Sequence, residues 1–91
     1  NILMTKPEIL IILNKTLDDI KKERSVHRKM DLCDIIAKYE KTINEIKMNT
    51  LQYNEIVNSV KAYLEIYNDY DNPLLYKMSD AENAVKEYLG S

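Results

Sequence analysis

The one histidine of this 91-residue chain, His27, stands close to Ser25 and to the one cysteine, Cys33. A histidine beside a hydroxyl or a thiol is the minimum for nucleophilic catalysis, because imidazole can accept the attacking group's proton. No recognisable motif surrounds either pairing, and a metal site would have to be built around one imidazole. His27 therefore reads as a solvent-exposed loop residue. Cys33, beside an apolar stripe, reads as a buried or half-buried inert thiol. Asp31 and Asp34, or Glu65, Asp69 and Asp71, offer carboxylates for acid–base work or a cation. The latter set lacks the glycine and ligand spacing of a calcium loop. The former falls in the first turn of a helix, where the dipole favours negative charge. No catalytic residue, cofactor or metal is expected.

Charge and aromatic placement say more. Lys21, Lys22, Arg24, Arg28 and Lys29 form the densest basic run, suited to anionic headgroups or an acidic partner, although Glu23, Asp18 and Asp19 dilute it. Residues 1–47 hold ten Lys/Arg against eight Asp/Glu, and residues 48–91 hold three against seven. That balance does not suit nucleic-acid binding, which calls for a strongly basic face. Seven tyrosines are the only aromatics, five of them between Tyr53 and Tyr76. Tyr70 and Tyr76 flank a turn at Pro73 rather than fill a periodic core position. With Lys77, Asn83 and Lys86 they are the candidate partner-binding residues, since tyrosine offers contact area at little entropic cost.

The elements that position these residues are helices. One glycine, Gly90, and two prolines, Pro7 and Pro73, leave almost the whole chain helix-compatible. Thr5 and Glu8 make a capping box, with Ile9, Leu13, Thr16, Leu17 and Ile20 on one face of a first helix; the Lys21–Lys29 stretch ends or loosens it. Leu32, Ile35, Ile36, Tyr39, Ile43 and Ile46 stripe a second, from about Asp31 to Met48. Tyr53, Ile56, Val57, Val60, Leu64 and Tyr67 stripe a third, from about Leu51 to Asn68. Asn68 to Pro73 is turn chemistry. Ser79 and Glu82 read as a second capping box opening a short fourth helix with Val85, Tyr88 and Leu89 inward. Short connections make neighbours antiparallel, so residues 1–91 are expected to form one all-α, up-down four-helix bundle, monomeric and modest in stability.

The longest apolar run, Ile9 to Leu13, is far short of the ~20 residues that span a bilayer. No secretory leader is legible, and a lone cysteine fits a reducing compartment, so a cytoplasmic location is expected. Met4 suits a natural start, with Asn1, Ile2 and Leu3 as an extension or remnant before it.

The layout resembles the immunity proteins of pediocin-like (class IIa) bacteriocins, of enterocin A immunity type. An early amphipathic helix, Asp31-Leu-Cys-Asp-Ile-Ile36 opening the second, and Glu55-Ile-Val-Asn-Ser-Val-Lys-Ala-Tyr-Leu64 in the third carry the likeness. Leu75-Tyr-Lys-Met-Ser-Asp-Ala-Glu82, running into Val85 and Leu89, is similar to the start of that family's last helix. The resemblance spans most of residues 9–90 as a pattern of hydrophobic positions and caps. It implies a cytoplasmic bundle, at most peripheral to the inner face of the membrane, that protects a producer cell from its own membrane-active peptide. It also implies a link to the mannose-type sugar permease that serves as bacteriocin receptor, with recognition in the C-terminal part. Many relatives continue into a tail, whereas this sequence stops at Ser91, a departure from the family pattern that counts against expecting tail-based specificity. The rival function is a small helical regulator or inhibitor of phage or plasmid origin; a chorismate-mutase-like enzyme is disfavoured, because its site would need several converging basic residues where these stripes are apolar.

Overall fold

In the computed structural model, which describes residues 4–90, four helices enclose one hydrophobic core. They are α1 (Lys6–Val26), α2 (Cys33–Lys47), α3 (Ser59–Tyr67) and α4 (Leu74–Gly90), with a 3-10 turn at Met30–Leu32 before α2. Asn1–Leu3 lie outside the described residues. No strand occurs among the described residues.

Side-chain contacts fix the antiparallel order. Lys6 Nζ, at the start of α1, donates to the Lys47 carbonyl at 3.2 Å and to Asn49 Oδ1 at 3.1 Å, at the end of α2. A cation there meets the carbonyls that a helix C-terminus leaves unpaired. Tyr39 of α2 meets Ser59 of α3 hydroxyl to hydroxyl at 3.2 Å, and the Tyr67 hydroxyl near the end of α3 accepts the Asp31 N–H just before α2. Lys77 of α4 reaches Asp19 of α1 at 2.6 Å. Each helix thus runs against its sequence neighbours, and α4 closes the bundle on α1.

Amphipathic spacing explains the core. Ile9, Leu13, Leu17 and Ile20 of α1 and Ile35, Ile36, Tyr39, Ile43 and Ile46 of α2 are buried, as the stripes require, with Leu32 buried before α2. The capping box at Thr5 forms: Thr5 Oγ1 accepts the Glu8 N–H at 3.3 Å, and Glu8 Oε1 accepts the Thr5 N–H at 3.2 Å. The hydrogen bonds from Thr5 hold the Glu8 carboxyl below its ordinary value.

Four expectations are corrected. First, α1 does not loosen at Lys21 but continues to Val26, because Ile20 and Glu23 extend its buried face by one more turn. Second, α3 begins at Ser59 rather than near Leu51. Asn54 folds the chain instead: its Oδ1 accepts the Ile56 N–H at 3.2 Å, an Asx-type turn, and Asn58 adopts a left-handed φ of 66°. Ile56 is buried while Tyr53 and Val57, placed on the buried stripe by spacing, are exposed. Third, α4 begins at Leu74, immediately after Pro73, with Asn72 Oδ1 accepting the Leu74 N–H at 2.9 Å. Ser79 is therefore an exposed interior position of α4, not a cap. Fourth, Cys33 is exposed, because α2 turns Ile35 and Ile36 inward instead.

Candidate functional site

α4 is a ridge with a hollow on either side. At 100° per residue, Tyr76, Asp80 and Asn83 fall on its outward crest. Lys77 and Lys86, nine residues apart, fall on opposite flanks. Lys77 borders α1, where its ammonium pairs with Asp19 beside Lys15, Lys22, Asp80 and Ile12, around a hollow of about 710 Å³. Lys86 follows Glu82 by one turn, and Glu82 faces α3. On that flank Tyr70 borders a hollow of about 520 Å³ with Val60, Lys61, Leu64, Glu65 and Glu82. The five candidate residues therefore do not form one patch. Tyr70 and Lys86 share the α3 flank, Tyr76 and Asn83 the crest, and Lys77 the α1 flank. Tyr70 and Tyr76 are 68% and 78% exposed, high for aromatic side chains.

The turn that carries Tyr70 is held from beneath by a network that spacing did not reveal. Lys29, in the loop after α1, reaches inward and places its three ammonium protons on Tyr63 (2.6 Å), Asp69 (2.8 Å) and Glu23 (3.1 Å). Tyr63 donates in turn to Asp69 at 3.0 Å, and the Asn72 amide donates to Asp69 at 2.9 Å and to Glu23. The ammonium also lies 5.2 Å and 5.4 Å from the ring centres of Tyr63 and Tyr67, within cation–π range. Burial opposes the charge on Lys29, but bonds to Asp69, Tyr63 and Glu23 outweigh it and raise its pKa. The same bonds, from Lys29 first and then Asn72 and Tyr63, draw Asp69 down to about 2. Burial raises the Tyr63 hydroxyl. These groups join the end of α1, the loop before α2, α3 and the turn before α4. They bond chiefly to one another and so fasten the end of the bundle, with Glu23 and Asn72 also bordering a hollow of about 310 Å³.

One sequence signal pointed there. Glu23 occupies a buried position in register with Thr16 and Ile20, and a carboxylate on an apolar stripe needs a cation or several donors. Lys29 belongs to the basic run in sequence, yet it is the one member turned inward. His27 is exposed and sits 3.4 Å from Glu23. Among the described residues, no group of three His, Cys, Asp or Glu side chains is placed to hold a metal ion, and no helix is long and apolar enough to cross a membrane.

Compared with family models, curated proteins and solved structures, the chain finds no match in any of the three.

Proposed function

We propose that this chain is a bacteriocin immunity protein: a non-enzymatic binder that protects a cell from a membrane-active peptide by engaging a protein partner. The observation that carries the reading is the pair Tyr70 and Tyr76, both strongly exposed and bracketing the start of α4, Tyr70 on the turn fastened by the Lys29 network and Tyr76 in the first turn of the helix. Exposed tyrosines, one of them beside a hollow bordered by Val60 and Leu64, are what a protein contact uses, because a tyrosine offers much area for few rotatable bonds. The hydrophobic layout that resembles the pediocin-type immunity family supplies the biological role. In this reading the protein works in the cytoplasm as a monomer, and the partner is a mannose-type sugar permease with the bacteriocin bound.

Expression in a bacteriocin-sensitive Gram-positive strain tests the proposal directly, since immunity is a gain of function that needs no knowledge of the contacts. Resistance to at least one member of a panel of pediocin-like peptides is expected. Full sensitivity to the whole panel, with the protein present and folded in the cells, removes the immunity reading.

A further inference from the structure

At the tip where α1 gives way to α2, Val26 and Met30 are 68% and 65% exposed, although each is apolar. Around them stand Lys22, Arg24 and Arg28, none of which makes an ion pair among the described residues. Arg24, Arg28 and Met30 border one shallow hollow of about 440 Å³; Lys22 and Val26 border the next. Of the neighbouring carboxylates, Asp19 pairs with Lys77 and Glu23 with Lys29 and His27, whereas Asp18 beside Lys22 and Asp31 next to Met30 make no ion pair among the described residues. The dilution seen in the linear sequence is thus partly offset in three dimensions, because Asp19 and Glu23 are neutralised by cations outside the set Lys22, Arg24 and Arg28. What remains at the tip is a set of unpaired cations interleaved with two protruding apolar side chains.

The tip is also held in place. The His27 and Lys29 N–H groups donate to the Glu23 carbonyl, the Met30 N–H donates to the Arg28 carbonyl, and Arg28 takes a left-handed φ of 56°. Leu32 is fully buried just beyond, and Lys29 is drawn inward by Glu23, Tyr63 and Asp69. Inward Lys29 and Leu32 alternate with outward Arg28 and Met30, so the loop is anchored from beneath while presenting Val26 and Met30 to the outside.

We infer that this α1–α2 tip docks on an anionic lipid surface, with Lys22, Arg24 and Arg28 at the headgroups and Val26 and Met30 among the upper acyl chains. Charge complementarity selects an anionic occupant. Exposure selects lipid over an acidic protein: Val26 and Met30 stand singly, one at the end of α1 and one in the turn after it, among long basic side chains that can extend their stems into a deformable interface. The inference is independent of the immunity reading, because it uses a different surface and a different readout.

Sedimentation with vesicles tests it on the intact chain. Binding is expected to phosphatidylcholine vesicles containing about a third phosphatidylglycerol, and not to phosphatidylcholine alone. It should be lost at high salt, because the screening length falls from ~10 Å at 0.1 M to ~3 Å at 1 M. Arg24→Gln with Arg28→Asn, the asparagine chosen to tolerate a positive φ, should lower the partition coefficient about 30-fold, equivalent to ~1 kcal/mol for each cation at an anionic surface. Val26→Ser with Met30→Ser should lower it about tenfold by removing the apolar contribution. Circular dichroism should show both variants folded, since all four positions are at the surface. Titration with anionic nanodiscs should shift amide signals mainly within residues 22–32. No vesicle binding, equal binding to neutral vesicles, binding unchanged by the arginine variant, or shifts centred elsewhere would each overturn the assignment; so would binding to polyglutamate with none to vesicles.

Discussion

Glu82, midway along α4, accepts the backbone N–H of Val60 at 2.9 Å, capping α3 from the neighbouring helix. Its other oxygen takes the Asn58 N–H at 2.9 Å, and the Ser59 hydroxyl donates to the same carboxylate at 2.9 Å. Asn58, the local N-cap, makes no side-chain cap bond, so Glu82 supplies what the local sequence lacks. Three donors and the positive end of a helix converge on one carboxylate. Glu82→Ala is expected to cost about 2 kcal/mol of stability, because hydrogen bonds to charged groups are the stronger ones. Amide exchange should accelerate first in residues 56–62. Exchange that rises uniformly over the whole chain would count against a local capping role.

The same residue shows what a sequence of this kind hides. Ser79-Asp-Ala-Glu82 has the form of a capping box, and nothing local distinguishes it from a working one. A second signal was present: Leu74, Met78, Ala81 and Val85 keep helical spacing through the supposed boundary, directly after Pro73. Tertiary burial of that stripe overrides the box, and Glu82 serves a different helix. Ser79→Ala should accordingly be neutral or slightly stabilising, since alanine is the better helix former at an exposed interior position. A loss near 1 kcal/mol in thermal or urea unfolding would show that Ser79 caps after all.

Helices α1 and α2 were legible because long stripes and the Thr5 cap agree. Residues 51–58 were not, because Tyr53, Ile56 and Val57 imitate a helical stripe while Asn54 and Asn58 bend the backbone out of it. The polar network was illegible for a further reason. Glu23, Lys29, Tyr63, Asp69 and Asn72 come from four segments, and only the closed bundle brings them together.

That network makes stability depend on pH at both extremes. Asp69 has a folded pKa of about 2, below its ordinary 3.8, so its contribution is complete above about pH 4 and is lost as pH falls toward 2. Lys29 is shifted upward from 10.5, so its contribution is complete below that value and is lost as pH rises past it. Asp69→Asn should therefore flatten the acid limb of the stability profile, and Lys29→Met should flatten the alkaline limb. Lys29→Met should also cost about 2 kcal/mol at neutral pH, because Glu23 and Asp69 lose their shared cation in a partly buried site. Urea unfolding from pH 2 to pH 11 measures both; identical profiles for wild type and variants would contradict the network's role.

Exposure of Cys33 gives a simple check on how α2 begins. The thiol faces solvent, and Sγ donates to the Met30 carbonyl at 3.5 Å. A thiol reagent should modify the native protein completely, without denaturant and with little loss of thermal stability. Modification that requires unfolding would mean that α2 is rotated and that Ile35 and Ile36 do not both face the core.

The division of α4 into two flanks turns the proposed contact surface into a choice between them. Lys77 is already paired with Asp19 at 2.6 Å, and its ammonium would have to leave that carboxylate to meet a partner. The α3 flank carries no such constraint, and Tyr70 and Lys86 lie there, with Tyr76 and Asn83 on the adjoining crest. A partner seated over the α3 flank and crest should feel Tyr70→Ala and Tyr76→Ala strongly, each lowering protection against the peptide about tenfold, the scale of a modest hot spot. Lys86→Ala should have a smaller effect of the same sign, because an exposed charge at the rim of a contact contributes less. Lys77→Ala should leave protection unchanged and cost no more than about 1 kcal/mol of stability, and adding Asp19→Ala should cost little beyond that. Comparing minimum inhibitory concentrations with the amount of folded protein in the same cells separates a lost contact from a lost fold. If Lys77→Ala abolishes protection while both tyrosine variants retain it, the partner sits on the α1 flank instead, over the hollow bordered by Asp19, Lys22 and Asp80.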